Sequence, residues 1–395
     1  MKIGYLVPTF PGQTHGFFWR EIKWLEKLHA EIQIISTTRP TDSANHGFLS
    51  EAKSRCIYLA DFRARDIIPW TIALIFAVKI FARRDVRAVF TSYNENKFKM
   101  YGLAVIGLIT KNMCREFDIK HIHGHSCADV GYILAFSQIA GGPSYSLSLH
   151  GDLEVYGRGH DFKFQNAKFI ACVTAALCEQ VKVVVPNLET PVYLIRMGIE
   201  PSVGHAKEKD NSEDVGRLRL VTVARLNKMK GHRHLIAAVA ELVRLGYDVN
   251  YDIIGEGDYE KEISASILEF KMDGRVKILG AVDNDQISKI LSAYDVFVLP
   301  SVGLGEAAPV AVMEAMGVGI PVVCSIIGGT PEMIEDGKTG FLFNQGDEDQ
   351  LSSILLQLAN SPELQVKIGK AGQVHATENF LTSISAKRLL NCILE

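Results

Sequence analysis

A short segment near the carboxyl-terminal end of the chain combines two apolar strands with the start of a helix. Residues 293–299 (Ala-Tyr-Asp-Val-Phe-Val-Leu) and 320–324 (Ile-Pro-Val-Val-Cys) form apolar runs that are typical of buried strands. Pro309 lies between them and favours the first turn of a helix, because proline fixes φ and lacks an N–H group that this turn cannot use. The segment therefore predicts a strand–loop–helix–strand unit, the building block of an α/β sheet.

Glu306 and Glu314 are the most informative polar residues of this unit, one at the predicted helix start and one near its end. Eight residues at a rise of ~1.5 Å place the two carboxylates roughly 12 Å apart along the helix axis. The two carboxylates of a glycosidase lie roughly 5–9.5 Å apart around one bond. Glu306 and Glu314 are therefore better placed to hold the two ends of an extended ligand.

Two common nucleotide-binding motifs are approximated in this region, and neither is complete. Residues 303–308 fit the dinucleotide fingerprint G-x-G-x-x-A, but the next predicted strand ends at residues 322–325 without the acid that would hold a ribose. Residues 337–339 (Gly-Lys-Thr) imitate a P-loop, but Glu332 stands where that motif requires its first glycine. Both readings are excluded.

The remaining motifs resemble the family 4 retaining glycosyltransferases, enzymes with the GT-B fold. The spacing of Glu306 and Glu314 matches the family signature, in which the first glutamate contacts the donor sugar and the second contacts the nucleotide ribose. Arg225 and Lys230 match the element G-R-L-x-x-x-K-G, with Ala224 in place of its first glycine. A guanidinium and an ammonium are expected phosphate partners, so the resemblance implies that both neutralise the donor diphosphate.

The resemblance implies a donor site in the carboxyl-terminal half of the chain. Residues 252–257 look like the family turn I-V-G-x-G beside the nucleotide, and Val282 follows another strand near the base. The implied donor-binding residues are Arg225, Lys230, Gly255, Gly257, Val282, Glu306, Ala307, Ala308, Pro309 and Glu314. The implied catalytic residues are Glu306, His150, Arg225 and Lys230.

The amino-terminal half begins with a predicted strand, a glycine loop and a helix. Residues 11–28 look like the P-x-x-S-x-T-F-x-x-x-E-I-x-x-L opening of exopolysaccharide glycosyltransferases, although His15 and Gly16 depart from it. The loop after the first strand of an open α/β sheet faces the ligand. We therefore expect Gly12 and Gln13 to bind substrate.

Histidines mark the ends of two further strands in this half. Residues 121–125 (His-Ile-His-Gly-His) close a strand predicted over 118–123, and strand alternation points the three imidazoles to one side. A metal site is one interpretation; the favoured one is the family segment H-I-H-A-H-F, which holds no metal. His150 precedes Gly151 and matches the family histidine that contacts the donor sugar. We expect His125, His150 and Asp152 to bind substrate.

The length of the chain and a polar stretch indicate two domains. A chain of 395 residues exceeds one ordinary core, and residues 201–216 are polar without periodicity. The resemblance implies two doubly wound Rossmann-like α/β domains facing each other across a cleft, an acceptor-side domain over 1–200 and a nucleotide-sugar domain over 217–375. It also implies that residues 376–395 form a helix that crosses back to the first domain. Seven cysteines without C-x-x-C spacing, and no signal segment, favour the cytoplasm.

A basic and apolar stretch leaves two interpretations open. Residues 53–99 carry 10 basic and 4 acidic side chains, with an apolar run over 67–78 and arginines on both sides of it. This run is too short to span a bilayer, which needs about 20 residues. It is either a core helix or an interfacial helix on an anionic membrane surface at the inner face of the cell membrane. Nucleic acid is not expected, because no recognised motif accompanies the basic residues.

Two D-x-D sequences raise the question of a metal. They begin at Asp283 and Asp347 and have the spacing found in metal-dependent glycosyltransferases. Each precedes a predicted helix, where aspartate is favoured as a cap. Capping is the favoured interpretation, because Arg225 and Lys230 already supply phosphate neutralisation. We expect no metal and no other cofactor.

The sequence thus predicts a retaining glycosyltransferase for the synthesis of a surface polysaccharide. Its donor would be a UDP- or GDP-linked sugar, and its acceptor a hydroxyl group of a saccharide, expected to be lipid-linked. A non-hydrolysing sugar-nucleotide epimerase of similar fold and a non-catalytic nucleotide-sugar binding subunit are the alternatives.

Overall fold

Two parallel β-sheets, each flanked by helices, organise the chain. The structure is a computed structural model that describes residues 1–12, 15–40, 47–62, 70–83, 86, 97–201, 215–304 and 306–395. The chain divides into two units. The first contains most of the chain up to Arg196 together with Ser383–Glu395, and the second contains Met197–Thr382.

The described part of the first unit contains a seven-stranded sheet in the order β3-β2-β1-β4-β5-β6-β7. Its strands are β1 (Lys2–Thr9), β2 (Glu31–Thr38), β3 (Cys56–Tyr58), β4 (His121–His125), β5 (Ser144–Leu149), β6 (Ile170–Cys172) and β7 (Val192–Leu194). Its helices are α1 (Gly16–Lys27), α2 (Leu49–Arg55), α3 (Trp70–Ala82), α4 (Lys97–Glu116), α5 (Asp129–Ile139), α6 (His160–Phe164) and α7 (Ala175–Val184).

The described part of the second unit contains a six-stranded sheet in the order β10-β9-β8-β11-β12-β13. Its strands are β8 (Arg217–Val223), β9 (Asp248–Ile254), β10 (Val276–Gly280), β11 (Val296–Leu299), β12 (Val322–Ser325) and β13 (Phe341–Phe343). Its helices are α8 (His232–Arg244), α9 (Glu260–Glu269), α10 (Ile287–Leu291), α11 (Val310–Val318), α12 (Thr330–Met333), α13 (Glu348–Ala359) and α14 (Pro362–Asn379). Both sheets reverse their strand order once, as doubly wound α/β sheets do.

Apolar strands and amphipathic helices explain this arrangement. β11 and β12 are buried along their whole length, because helices cover both faces of a parallel sheet. α8 turns Leu235, Val239 and Leu242 towards the core of its unit at the i, i+4, i+7 spacing of a buried helix face. Within the described residues, every helix is too short or too polar to cross a bilayer.

The predicted strands occur with shifted ends. β11 begins at Val296 rather than at residue 293, and Asp295 before it bonds to the Arg219 guanidinium over 2.8 and 3.0 Å. β4 extends to His125, because its pairing with β5 continues to the register His125↔Ser148.

The domain boundaries differ from those predicted at both ends of the second unit. That unit begins at Met197, and residues 202–214 of the predicted linker lie outside the described residues. The predicted terminal helix 376–395 is two helices. α14 runs through to Asn379 in the second unit, and Gln373 on it donates to the carbonyl oxygen of Gly317 over 3.0 Å.

The last helix, α15 (Thr382–Leu394), supplies the segment that belongs to the first unit. Its residues Ala386, Leu389 and Ile393 join the apolar core that also contains Trp19 and Ile22 of α1. The return to the first unit therefore starts at residue 383 instead of 376.

Candidate functional site

The sheet of the second unit reverses its order between β8 and β11, which are neighbours in space although β9 and β10 lie between them in the chain. At such a reversal the loops at the carboxyl ends of the two strands diverge and leave room for a ligand. The loop after β8 carries Arg225 and Lys230, and the loop after β11 carries Glu306. The fold thus brings three predicted site residues to one edge of the sheet.

Glu306 is held by two side chains at this edge. The Nζ atom of Lys230 contacts Oε1 of Glu306, and the hydroxyl of Ser301 donates to the same oxygen over 3.1 Å. The hydroxyl of Ser325, at the end of β12, donates to the carbonyl oxygen of Ser301 over 2.5 Å. The Lys230 and Glu306 side chains are 17% and 13% exposed, so the ion pair is largely removed from water.

The charge of Lys230 depends on its surroundings. Burial lowers the pKa of Lys230 to about 8, and the positive charge of Arg225 acts in the same direction. The contact with the Glu306 carboxylate opposes both effects, because an opposite charge favours the protonated amine. Two cations and one carboxylate therefore share this edge, and the Lys230 ammonium titrates close to physiological pH.

The helix after Glu306 starts later than the sequence predicts. α11 begins at Val310, and Pro309 is its N-cap with φ −68° and ψ 110°, so Pro309 is not in the first turn. Glu306 consequently lies in the loop, and the spacing of roughly 12 Å along a common helix axis does not apply to this pair. Glu314 lies within α11 and is 7% exposed. The first N–H groups of α11 have no partner within the helix.

The loop 306–308 packs tightly on the loop after β12. The N–H of Gly329 donates to the carbonyl oxygen of Ala307 over 2.7 Å, and Ala307 and Ala308 are buried. A Cβ atom on Gly328 would lie 1.4 Å from the carbonyl oxygen of Glu306. Only glycine allows this approach, so the position of Glu306 depends on Gly328.

Gly255 and Gly257 bring the loop after β9 against the loop after β8. A Cβ atom on Gly255 would lie 1.9 Å from the carbonyl oxygen of Ala224, and one on Gly257 would lie 2.1 Å from that of Leu226. The two glycines thus fix the loop that carries Arg225. Val282 follows β10, the edge strand two positions from β8, so it is further from the reversal than the other residues predicted to bind the donor.

The D-x-D sequences make capping contacts. Oδ1 of Asp347 accepts from the N–H of Gln350 over 2.9 Å, which confirms that Asp347 is the N-cap of α13. Oδ1 of Asp283 accepts from the N–H of Asp285 over 3.2 Å at the start of a short 3-10 segment.

In the first unit, the histidines of β4 and the serines of β5 form a ladder of hydrogen bonds. Each ring nitrogen of His121 and His123 lies 2.7–2.9 Å from a serine hydroxyl, and the serines are Ser144, Ser146 and Ser148. Both histidines are buried. Burial lowers the pKa of His121 to about 4 and that of His123 well below its usual range. These two imidazoles are therefore neutral and fully engaged with serines.

His125 continues the same face of β4 but contacts a different partner. Its Nδ1 lies 3.0 Å from Nε2 of His150, which directly follows β5. Its Nε2 lies 3.6 Å from Oε1 of Glu21 on α1, and the hydroxyl of Tyr5 donates to the same Glu21 oxygen over 2.7 Å. The structure therefore joins two predicted residues, His125 and His150, with one residue that the sequence analysis did not assign, Glu21.

The other predicted residues of this unit have separate surroundings. Gly12 follows β1 and its carbonyl oxygen accepts from the N–H of His15 over 3.1 Å, while Gln13 lies outside the described residues. Oδ1 of Asp152 accepts from the side-chain amide of Gln180 on α7 over 2.8 Å. A groove of about 770 Å³ lies beyond Asp152, lined in part by Glu154, Arg158, His160, Asp161 and Glu189.

Comparison with known proteins shows what the region around the Lys230–Glu306 pair is similar to. The sequence model of the family "Glycosyl transferases group 1" matches residues 205–375. Over this segment, which is less than half of the chain, the sequence is similar to the group 1 glycosyl transferases. The glycosyltransferase resemblance is thus confirmed over the region that carries Arg225, Lys230, Glu306 and Glu314.

Two relatives match part of the chain. The chain is 36% identical over 202 residues to the amylovoran biosynthesis glycosyltransferase AmsK of Erwinia amylovora, covering 50% of this chain and 49% of AmsK. It is 37% identical over 142 residues to WcaL of Escherichia coli, named for a proposed role in colanic acid biosynthesis, covering 35% of each chain. The matches thus span about half of the first relative and about a third of the second.

A solved structure resembles the whole chain in fold. Anabaena HepE, crystallised with UDP and glucose, superimposes with a TM-score of 0.74 at 17% identity and covers 100% of both chains. At this identity the likeness establishes the fold, and the predicted GT-B class with two Rossmann-like units is confirmed.

Several residues that make the contacts described above received no role from the sequence alone. Ser301 and Ser325 are ordinary residues at strand ends, and only the sheet brings them together. Gly328 belongs to the pair Gly328-Gly329 between β12 and α12, a glycine signal that could have indicated close backbone contact. Glu21 occupies the glutamate of the opening P-x-x-S-x-T-F-x-x-x-E-I-x-x-L, but the sequence alone gave it no role.

The apolar stretch near residues 67–78 forms α3, and one face of it is exposed. Ile72, Ile75 and Val78 are 51%, 55% and 63% exposed, whereas Ile80 is buried and Phe76 packs with the cluster of Leu108 and Ile109 on α4. Phe98 at the start of α4 is 86% exposed. The predicted arginine flanks at 63, 65 and 84 lie outside the described residues. α3 is therefore partly a core helix and partly an exposed apolar surface.

Proposed function

We propose that this protein transfers a sugar from a nucleoside-diphosphate sugar to a hydroxyl group of a saccharide, with retention of anomeric configuration. The observation that carries this proposal is the cluster of Lys230, Arg225 and Glu306 at the sheet reversal, beside the amino-terminal end of α11. Two cations and free helix N–H groups suit a diphosphate, and a carboxylate beside them suits a sugar.

In the proposed reaction the bond between the anomeric carbon and the β-phosphate oxygen breaks, and the acceptor oxygen bonds to the same carbon. Arg225 and Lys230 stabilise the negative charge that develops on the departing diphosphate. Glu306 orients the donor sugar and balances the positive charge on its ring. The acceptor proton passes to an oxygen of the leaving phosphate. Glu314 binds the ribose.

The first unit is proposed to supply acceptor binding and one contact to the donor sugar, through His150. The groove near Asp152 offers the carboxylates of Glu154, Asp161 and Glu189, and carboxylates accept hydrogen bonds from sugar hydroxyls. AmsK is named for the biosynthesis of an exopolysaccharide, which supports a saccharide acceptor in surface polysaccharide synthesis.

We further propose that the acceptor is lipid-linked and that the protein works in the cytoplasm at the inner face of the membrane. The exposed side chains of Ile72, Ile75 and Val78 on α3, with Lys79 beside them, fit an interfacial helix on an anionic surface. No metal and no other cofactor enters the proposed chemistry, because Arg225 and Lys230 balance the phosphate charge.

Product formation by the purified protein tests the function. UDP and GDP are first compared for the increase in Tm that they cause, since a ligand of the folded state stabilises it by mass action. The donor of the better nucleotide is then incubated with lipid-linked saccharide, and NMR reads the configuration of the new linkage. Lys230→Met should abolish transfer, whereas Lys228→Met, an exposed lysine of the same loop, should not.

Three outcomes would contradict the proposed function. Interconversion of the donor sugar without an acceptor would identify an epimerase. Nucleotide binding without any product would identify a non-catalytic binding subunit. An inverted linkage would refute the retaining mechanism.

A further inference from the structure

Three polar side chains in the first unit lie in a row that ends on His150. Oε1 of Glu21 on α1 lies 3.6 Å from Nε2 of His125, a distance for charge interaction but not for a hydrogen bond, and this Nε2 makes no hydrogen bond within the described residues. Nδ1 of His125 lies 3.0 Å from Nε2 of His150. His125 is 1% exposed, and the ring of Phe18 packs edge-on against both imidazoles at centroid distances of 4.8 and 5.5 Å. Apolar packing thus shields these side chains from water.

The imidazoles of His125 and His150 each carry a single proton at neutral pH. Burial lowers the pKa of His150 to about 4 and that of His125 well below its usual range, so both rings are uncharged. In a neutral imidazole one nitrogen donates a hydrogen bond and the other accepts one. The contact between His125 and His150 therefore has two possible directions, and the direction determines which nitrogen of His150 is left with a lone pair.

The charge of Glu21 selects between the two directions. When the carboxylate is ionised, a proton on Nε2 of His125 faces it favourably, whereas a lone pair there would be repelled. Nδ1 of His125 then accepts from Nε2–H of His150, and Nδ1 of His150 keeps its lone pair. When Glu21 is protonated, its O–H can donate to Nε2 of His125, both rings reverse, and Nδ1 of His150 carries the proton.

The His150 end of this row has an unsatisfied hydrogen-bonding atom. Nδ1 of His150 is buried and accepts or donates no hydrogen bond within the described residues. His150 directly follows β5 and so lies at the carboxyl end of the sheet, where ligands bind in doubly wound folds. A buried imidazole nitrogen without a partner has a hydrogen-bonding capacity that a sugar hydroxyl can fill.

We propose that Glu21, acting through His125, sets which ring nitrogen of His150 carries the proton and so presents Nδ1 of His150 as an acceptor to a hydroxyl of the donor sugar. Glu21 is thus a positioning residue for His150. This inference rests on the proposed function for the identity of the hydroxyl, but the coupling of the three side chains is independent of it.

The surroundings of Glu21 make the position of the proton on the His150 ring sensitive to pH near neutrality. Burial raises the pKa of Glu21 to about 7, and the hydrogen bond from Tyr5 acts in the opposite direction. Within the described residues, the other titratable groups that face these side chains are His123 on β4, His15, which precedes α1, and Tyr156, whose hydroxyl accepts from the backbone N–H of His150. Above this pH the ionised Glu21 should hold Nδ1 of His150 as an acceptor, and below it that nitrogen should become a donor.

The first test reads the tautomers directly by ¹⁵N NMR of protein labelled at histidine. Signals are assigned by their loss in His125→Asn and His150→Asn. In the wild type, Nδ1 of His150 should be unprotonated at pH 8.5 and should gain its proton as the pH falls through about 7. Glu21→Gln should carry the proton on Nδ1 at every pH, because an amide nitrogen at the position of Oε1 donates to Nε2 of His125 and to the hydroxyl oxygen of Tyr5.

The second test reads catalysis in the same variants. Glu21→Gln should lower kcat roughly 10- to 100-fold, with little change in donor KM, as expected for a misdirected proton at a catalytic imidazole. Glu26→Gln is the matched control, since Glu26 lies on the same helix and bonds to Arg55 instead of a histidine. It should change neither the His150 signal nor kcat.

The outcomes separate this inference from the proposed function. A His150 signal that ignores both pH and Glu21→Gln would overturn the coupling, and the wild-type titration decides this even if the variant does not fold. Reversal of the tautomer with unchanged kcat would overturn the positioning role. A wild-type protein that titrates as predicted but transfers no sugar would refute the proposed function alone.

Discussion

Lys230 and Glu306 form an ion pair across 76 positions of the chain, with Nζ of the lysine against Oε1 of the glutamate. Ser301 donates to the same carboxylate oxygen, so the pair is oriented as well as neutralised. A diphosphate at this site would compete with Glu306 for the ammonium of Lys230. Binding of the donor and release of the Glu306 carboxylate towards the sugar would then be the same event.

The pKa of Lys230 predicts a pH dependence of nucleotide affinity. Because this pKa is lowered to about 8, Lys230 is charged below that pH and loses its positive charge above it. UDP or GDP, whichever binds, should therefore bind about fivefold to tenfold more weakly at pH 9 than at pH 7.5. Isothermal titration calorimetry measures the difference. Lys230→Arg, which stays charged, should show a flat profile, and a flat wild-type profile would contradict the prediction.

Substitution of Glu306 and substitution of Glu314 should have different effects on catalysis and nucleotide binding. Glu306→Gln removes the charge that is proposed to orient and stabilise the reacting sugar, so kcat should fall about 100-fold or more. Product nucleotide affinity should not fall, because the glutamine competes less with the diphosphate for Lys230. Glu314→Gln should instead weaken nucleotide binding by about 1.5–3 kcal/mol, the cost of a lost hydrogen bond to a charged group. Kinetics and calorimetry on both variants separate these effects. Equal losses of nucleotide affinity would refute the division of roles.

Transfer activity should survive an excess of EDTA. In the proposed reaction the charges of Arg225 and Lys230 take the place of a divalent cation, and Asp347 uses its carboxylate as the N-cap of α13. Initial rates with and without chelator, after dialysis into metal-free buffer, provide the measurement. Complete loss of activity, restored by magnesium or manganese, would bring Asp283 and Asp285 into the active site instead.

The exposed face of α3 should bind anionic vesicles. Ile75→Glu combined with Val78→Glu should reduce the bound fraction in a sedimentation assay at low salt, because the change removes apolar contact and adds repulsion. Val183→Glu is the control, since Val183 is 77% exposed on α7, outside this surface. A wild-type protein that ignores such vesicles would show that the α3 face has another role.

The buried histidines should destabilise the protein in acid. The folded-state pKa of His121 is lowered from 6.5 to about 4, so between these values the unfolded chain binds more protons than the folded one. The free energy of unfolding should therefore fall as the pH drops from 6.5 towards 4, by up to about 1.4 kcal/mol per pH unit for one histidine.

Urea unfolding at several pH values measures this slope. His121→Asn should make the slope shallower, whatever it does to the absolute stability. His29→Asn, at an exposed position after α1, should leave it unchanged. An identical slope in the wild type and His121→Asn would contradict the assignment.

The local pattern of residues was sufficient to predict the strands, the glycine loops and the cations of the second unit. Apolar runs such as residues 296–299 can be buried only as strands or short helices, and the strand–loop–helix order then implies a parallel sheet. The match of Arg225 and Lys230 to a phosphate-binding element likewise needed only residues near one another in the chain. Contacts between residues within about ten positions of each other in the chain can be predicted from the local sequence.

The details that depend on non-local packing were decided by the tertiary structure. Pro309 became an N-cap and Glu306 moved off the helix because the loop 306–308 packs on the backbone of Gly328, beyond the range of helix propensity. The strand order brought Lys230 to Glu306 and Glu21 to His125. Neither contact could be predicted from local spacing, because the two residues of each pair lie far apart in the chain and meet only once β8 neighbours β11 or β1 neighbours β4. The sequence determined the chemical groups, and the strand order determined which of them meet.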